Sequence, residues 1–167
     1  MDYLKLTVLA LAALYGGLCA LHPGDYHFID GVNLLFHEAG HPLFGFFGNE
    51  FLMVMGGTLM QLLMPLVAIA SFIKSGQRFS AAVTGIWFAE NFFNISVYVK
   101  DAVMMELPLV GNGDRVHDWN YILGETGRLG RAVHIGNMIY GTGLVFLAAS
   151  VAAGVYFSRK QGIIDQD

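Results

Sequence analysis

The sequence predicts an all-α membrane protein: a polytopic helix bundle with four spanning helices and one further helix short enough to be re-entrant. Three observations lead there. Of 167 residues, 55% are hydrophobic and only 13% charged, about half the ~25% charge of a soluble domain. The mean hydropathy is +0.55. The apolar residues also fall into five stretches of helical length separated by short polar turns, as expected of one bundle with no separate soluble domain.

The first stretch, residues 4–21, is long enough to span when its ends are counted. Residues 1–20 resemble a secretory signal, with Lys5 before an apolar run. However, Leu18-Cys19-Ala20 is a poor cleavage site and the run is long for a signal core, so a retained anchor is expected. His22-Pro23-Gly24-Asp25 supplies turn chemistry. Asp30 is a candidate N-cap for a second helix at about 31–47. Pro42 cannot donate to the Glu38 carbonyl and should kink that helix. Gly48-Asn49 interrupts the pattern, and residues 51–73 form a third apolar helix that contains Gly56-Gly57 and Pro65. A polar turn at 74–79 leads to a fourth helix, 80–105. A polar loop, 106–131, precedes a fifth helix at 132–157.

Basic residues suggest an orientation. With Lys74 and Arg78 in the cytoplasm, the 106–131 loop lies outside and Arg159 and Lys160 return inside. The second helix then starts and ends outside, which makes it re-entrant. The competing topology lets it cross and puts the N-terminus outside. Arg115, Arg128 and Arg131 in the outer loop oppose the charge argument. The formal net charge of −4 gives no reason to expect nucleic-acid binding. The single Cys19 excludes an internal disulfide and reads as a packing or lipid-facing residue.

The chemistry concentrates in His37-Glu38-Ala39-Gly40-His41, an H-E-x-x-H pattern set in an almost wholly apolar stretch. Ionisable groups in hydrocarbon are costly and are seldom kept there without a role. Residues four apart share a helix face, so His37 and His41 can grip one metal ion, and Glu38 can reach a metal-bound water as general base. For this composition, shuffling yields the pattern roughly once in two hundred trials, so chance is a poor explanation. The plain alternative is a pair of packing histidines with Glu38 as an ion-pair partner.

A catalytic zinc usually has three protein ligands. One candidate set for the third is His117 and Asp118, just before a short helical pattern at 119–124. Asp118 would otherwise be the N-cap of that helix, and His117 a solvated loop residue. A second set is Glu90, Asn94 and Asp101, which share one face of the fourth helix with Tyr98 close by. Glu90 and Asp101 are candidate ligands or site-lining groups. Asn94 could fix a ligand histidine from outside, or hold substrate with Gln61. Gly56 and Gly57 should let another backbone approach.

His37-Glu38-Ala39-Gly40-His41 in a membrane helix resembles the intramembrane zinc metalloproteases of the site-2 protease class. The longer pattern is similar to a small group of bacterial membrane proteins described as zinc-peptidase-like. It comprises HEAGHPLFGFFG (37–48), GGTLMQLLMP (56–65), NISVYVKDA (94–102) and LPLVGNGDRVHDWNYILG (107–124). The resemblance implies zinc on His37 and His41, with Glu38 as base. The class takes its third ligand from an Asp-Gly motif on a later helix. Here Asp30-Gly31 precedes the motif and Asp101 is followed by Ala102, so that ligand is not carried over. The expectation is a multi-pass zinc peptidase of the bacterial inner membrane, acting on membrane or periplasmic polypeptides. The alternative is an accessory subunit of a larger membrane complex with a vestigial or structural metal site.

Overall fold

A computed structural model of the chain describes residues 2–108 and 117–160, and all regular structure among them is helical. The elements are α1 (Tyr3–Leu21), α2 (Phe28–Gly45), α3 (Glu50–Lys74), α4 (Arg78–Lys100), α5 (Asp118–Glu125), a 3-10 turn (Leu129–Arg131) and α6 (Ala132–Lys160). Residues 109–116 of the 107–124 motif, Arg115 among them, lie outside the described residues.

Among the described residues three segments, not the expected four, are long and apolar enough to cross a membrane: α1, α3 and residues 129–159. The helix that falls short is α4. Its position explains its composition. α1, α3 and α6 all pack on it, and Glu90, Asn91 and Ser96 are buried along it. A helix screened by its neighbours can carry polar groups, provided they are paired, whereas one facing hydrocarbon cannot. The outer helices show the converse pattern. Leu11, Leu14 and Leu18 on α1 and Val145 on α6 are exposed apolar side chains. Cys19 is fully buried beside Phe93, so it packs inside the bundle rather than against lipid.

Contacts fix which helix ends lie together. The Asp2 N–H donates to the Ser158 carbonyl at 3.4 Å. The Lys5 ammonium sits 5.7 Å from the Phe79 ring, and the Arg78 guanidinium 5.9 Å from Phe157. The starts of α1 and α4 and the end of α6 therefore form one basic end. Toward the opposite end, the Tyr140 hydroxyl donates to the Ala20 carbonyl at 2.9 Å, and Phe51 of α3 meets Tyr121 of α5. The 22–49 segment joins the end of α1 to the start of α3; α2 itself begins inside the bundle, where the Ile29 N–H donates to the Tyr15 hydroxyl at 3.2 Å, and runs outward along the first half of α3.

Helix boundaries differ from the expected ones for identifiable reasons. α2 starts at Phe28, three residues early, because Asp30 is not its N-cap. Asp30 lies in the first turn, and its Oδ2 accepts from the His27 N–H at 2.6 Å. Pro42 lies within the helix, which ends one turn later. α4 stops at Lys100 rather than 105. The Asp101 carboxylate takes the N–H groups of Glu106 and Leu107, both at 3.0 Å, and Met105 turns the chain with φ 53°. α5 starts at Asp118 because His117, not Asp118, is its cap; the His117 Nδ1 accepts from the Asn120 N–H at 3.2 Å.

α2 and α3 pack backbone against backbone at two glycines. A Cβ on Gly40 would stand 2.2 Å from the Gly56 carbonyl oxygen, and one on Gly56 would stand 2.7 Å from the Phe44 Cβ. The two backbones approach as closely as they do because neither position carries a side chain.

Candidate metal centre

α2 supplies two imidazoles one turn apart, with ring centroids separated by 5.0 Å. Each is oriented through its Nδ1. In His41, Nδ1 lies 3.1 Å from the Met53 carbonyl oxygen, which can only accept, so Nδ1 carries the proton. In His37, Nδ1 lies 3.2 Å from the Gln61 Oε1. The Gln61 Nε2 donates to Asn94 Oδ1 at 2.8 Å, so the Gln61 oxygen accepts from His37. Both rings therefore turn Nε2 inward. This is the arrangement in which an outer partner holds a metal-ligating histidine by its other nitrogen.

Both Nε2 atoms converge on one oxygen, Asp118 Oδ2, at 2.8 Å from His37 and 3.4 Å from His41. Two donors each ~2.0–2.1 Å from a tetrahedral ion stand about 3.4 Å apart. One edge already has this length, and the other needs about half an ångström of opening. Ligand atoms of His37, His41 and Asp118 all lie within 4.8 Å of one another; no other group of this kind occurs among the described residues. The donor set fits a divalent ion with one position left open.

Asp118 lies 77 positions beyond His41 in the chain, and α5 delivers it. Its own N–H donates to the Tyr98 hydroxyl at 3.1 Å, and the Asn120 side chain donates to the Ala102 carbonyl at 2.8 Å. With His117 as cap, the Asp118 side chain is released toward the histidines. Burial alone would raise its pKa, but the hydrogen bonds and charge of His37 and His41 outweigh that and hold the carboxyl below its ordinary value.

His37 leans on α3 where Gly57 leaves space. A Cβ there would lie 2.6 Å from Nε2 and 2.8 Å from both Cδ2 and Cε1. Gly57→Ala is expected to rotate the ring away from Asp118 and lower metal affinity by at least the ~10–100-fold seen when an outer partner is lost. Isothermal titration with zinc of the metal-stripped protein measures this, and unchanged affinity would contradict the placement of the ring.

A cavity of about 510 Å³ reaches the site. His37, Glu38, Gln61, Asn94 and Tyr98 line it, and the α1–α2 turn at 23–26 forms its opposite side. Half-buried Glu38 is therefore on the wall of a space that also touches a candidate ligand.

The other candidate ligands are engaged elsewhere. His117 donates through Nε2 to Asp101 Oδ2 at 3.2 Å, so His117 and Asp101 hold the loop at the end of α4. Glu90 is buried with its Oε2 accepting from Asn33 Nδ2 at 2.6 Å, while Asn33 Oδ1 accepts from Trp87 at 2.8 Å. Gln61 and Asn94 bond each other and the site rather than presenting free amides to the cavity. Sequence reasoning misses Asn33, the Met53 carbonyl and the burial of Asp30. The available signal is a carboxylate and an amide, three residues apart, at the start of an otherwise apolar helix. No protein-family model matches the chain, and no curated protein or solved structure matches it significantly.

Proposed function

We propose that the chain is a multi-pass zinc hydrolase of the peptidase type in the bacterial inner membrane, with His37, His41 and Asp118 as ligands and Glu38 as general base. The observation that carries this reading is the convergence of both histidine Nε2 atoms on one Asp118 oxygen beside a cavity that Glu38 also lines. The resemblance to the site-2 protease class agrees with it, with Asp118 in the place of that class's Asp-Gly ligand. Such a cavity favours catalysis over a purely structural metal site in an accessory subunit.

Zinc in this site would polarise a substrate carbonyl and lower the pKa of its water. His37 and His41 present neutral Nε2 donors because the Gln61 oxygen and the Met53 carbonyl occupy their Nδ1 protons. Asp118 contributes the negative charge that offsets the cation. Glu38 takes the proton from the attacking water and passes it to the leaving amine. Substrate enters on the side of the α1–α2 turn, the end away from Lys74 and Arg78. With the basic end in the cytoplasm, that entrance faces the periplasm and α2 is re-entrant. α4 is the fourth crossing, shielded by its neighbours. A helical substrate segment must unwind before attack, since its peptide carbonyls are otherwise hydrogen-bonded.

Glu38→Gln is the direct test. The variant is expected to keep one zinc per chain and to cleave a quenched-fluorescent peptide library in detergent micelles ~10²–10⁴-fold more slowly than the parent. A parent protein that binds zinc but cleaves nothing, with Glu38→Gln indistinguishable from it, would overturn the hydrolase reading in favour of the accessory subunit.

A further inference from the structure

α3 and α6 both pack on α4 but scarcely on each other. Between them, at the basic end of the bundle, runs an apolar groove of about 490 Å³. Its floor is Ala81 and Ala82 of α4, whose side chains are too short to fill it. Its walls run from Leu66 to Ile73 on α3 and from Phe146 to Phe157 on α6. Leu66, Ile73 and Phe146 are exposed apolar side chains. In hydrocarbon such a space is filled, because an unfilled one forfeits the dispersion contacts of its lining.

The length of the groove limits what fills it. Between Arg78 and Phe88, the first and last α4 residues that line it, the helix rises ~15 Å, half the ~30 Å hydrocarbon thickness of a bilayer. Two contacts end it there. Phe88 and Phe146 meet with ring centroids 4.9 Å apart, and Phe92 packs on both. Further along, Leu62 of α3 and Ile139 of α6 pack on one apolar cluster and take up the gap. A helix that crosses the bilayer needs a seam of full thickness. The groove therefore does not suit a spanning helix of a partner or of a second copy of this chain, whereas an acyl chain of one leaflet has the depth required.

The outer end carries charge. Arg78 lines the groove, exposed, with its guanidinium 5.9 Å from the Phe157 ring. No carboxylate pairs with it among the described residues. α4 begins at the same place without a side-chain cap, so the positive end of its dipole adds to that charge. Arginine grips phosphate oxygens through a planar fork of N–H donors. The geometry points to a binding site for an anionic phospholipid of the leaflet at the basic end, with one acyl chain between α3 and α6 and the headgroup phosphate on Arg78 and the start of α4. This goes beyond the proposed hydrolase: it uses the membrane but neither the metal nor the cavity at the α1–α2 turn.

Native mass spectrometry of the full chain, released from a neutral detergent with dioleoyl phosphatidylglycerol or dioleoyl phosphatidylcholine added, tests it. The parent is expected to retain one phosphatidylglycerol per chain and to hold phosphatidylcholine ~5-fold more weakly, the scale of one basic residue at a charged membrane surface. Arg78→Gln should remove that preference. Lys74→Gln, at the same end but outside the groove, should keep it. Ala149→Trp, which puts a ring into the groove from an exposed position on α6, should lower retention of both lipids. Equal retention of the two lipids by the parent, or equal losses in Arg78→Gln and Lys74→Gln, would overturn the site. A lipid-free dimer that Ala149→Trp converts to monomer would overturn it too, and assign the groove to a second copy. Should Ala149→Trp not fold, the comparison of Arg78→Gln with Lys74→Gln decides alone. Zinc-loaded and metal-stripped protein should bind lipid equally, so failure of the hydrolase reading and failure of this one are read separately.

Discussion

Asp118→Ala is expected to abolish stable zinc binding while leaving the helical bundle intact. The change removes the oxygen that lies 2.8 and 3.4 Å from the two Nε2 atoms, and with it the only negative ligand of the set. Loss of an outer-shell partner costs ~10–100-fold in metal affinity, and loss of a direct ligand should cost more. α5 does not depend on this side chain for its position. Asn120 bonds the Ala102 carbonyl, His117 caps the helix, and Leu123 packs with Ala102 and Ala132. Helical content by circular dichroism should therefore match the parent, while zinc retained through gel filtration falls from one per chain toward none. Full retention of zinc would exclude Asp118 as a ligand.

Gly40→Ala should produce the largest loss of stability. Two effects oppose each other. Alanine is favoured over glycine inside a helix by about 1 kcal/mol. Against this, the added Cβ would meet the Gly56 carbonyl oxygen at 2.2 Å and its carbon at 2.7 Å. Those are backbone atoms of a neighbouring helix, which no rotamer change can move. Overpacking of this kind costs about 1–3 kcal/mol, occasionally more. The clash should win and part α2 from α3, taking both histidines out of register with Asp118. Gly17→Ala is the control, because a Cβ there meets nothing within 4 Å; it should be neutral or slightly stabilising. Thermal unfolding in detergent measures both. Equal midpoints for the two variants would contradict the close approach.

What is legible in the sequence is whatever is local. The four-residue spacing of His37 and His41 determines their shared face wherever the helix sits, and the long apolar runs mark α1, α3 and α6 without reference to neighbours. The third candidate ligand is not local. Asp118 comes from a separate helix, and the sequence alone leaves it level with His117, with Glu90 and Asp101 as a second set. What separates them is which partners each side chain already holds, and Glu90 is held by Asn33. His117 is spent on Asn120 and Asp101, and Asp101 on the ends of its own loop. α4 reads in sequence as another lipid-crossing apolar helix, yet its polar residues point into the bundle. Hydropathy records composition, whereas tolerance for Glu90 and Asn91 depends on which neighbours surround them. Asp30 is legible as a helix-start residue and not as the partner of Asn94, a contact spanning 64 positions.

X-ray absorption at the zinc edge of the detergent-purified chain tests the central claim most directly. The expected spectrum has two imidazole shells at ~2.0–2.1 Å and one carboxylate oxygen at ~2.0–2.2 Å, with a water in the remaining position. The Asp118→Ala variant, reloaded with zinc, should lose the carboxylate scatterer. A spectrum with fewer than two imidazoles, or one that Asp118→Ala leaves unchanged, would contradict the site described.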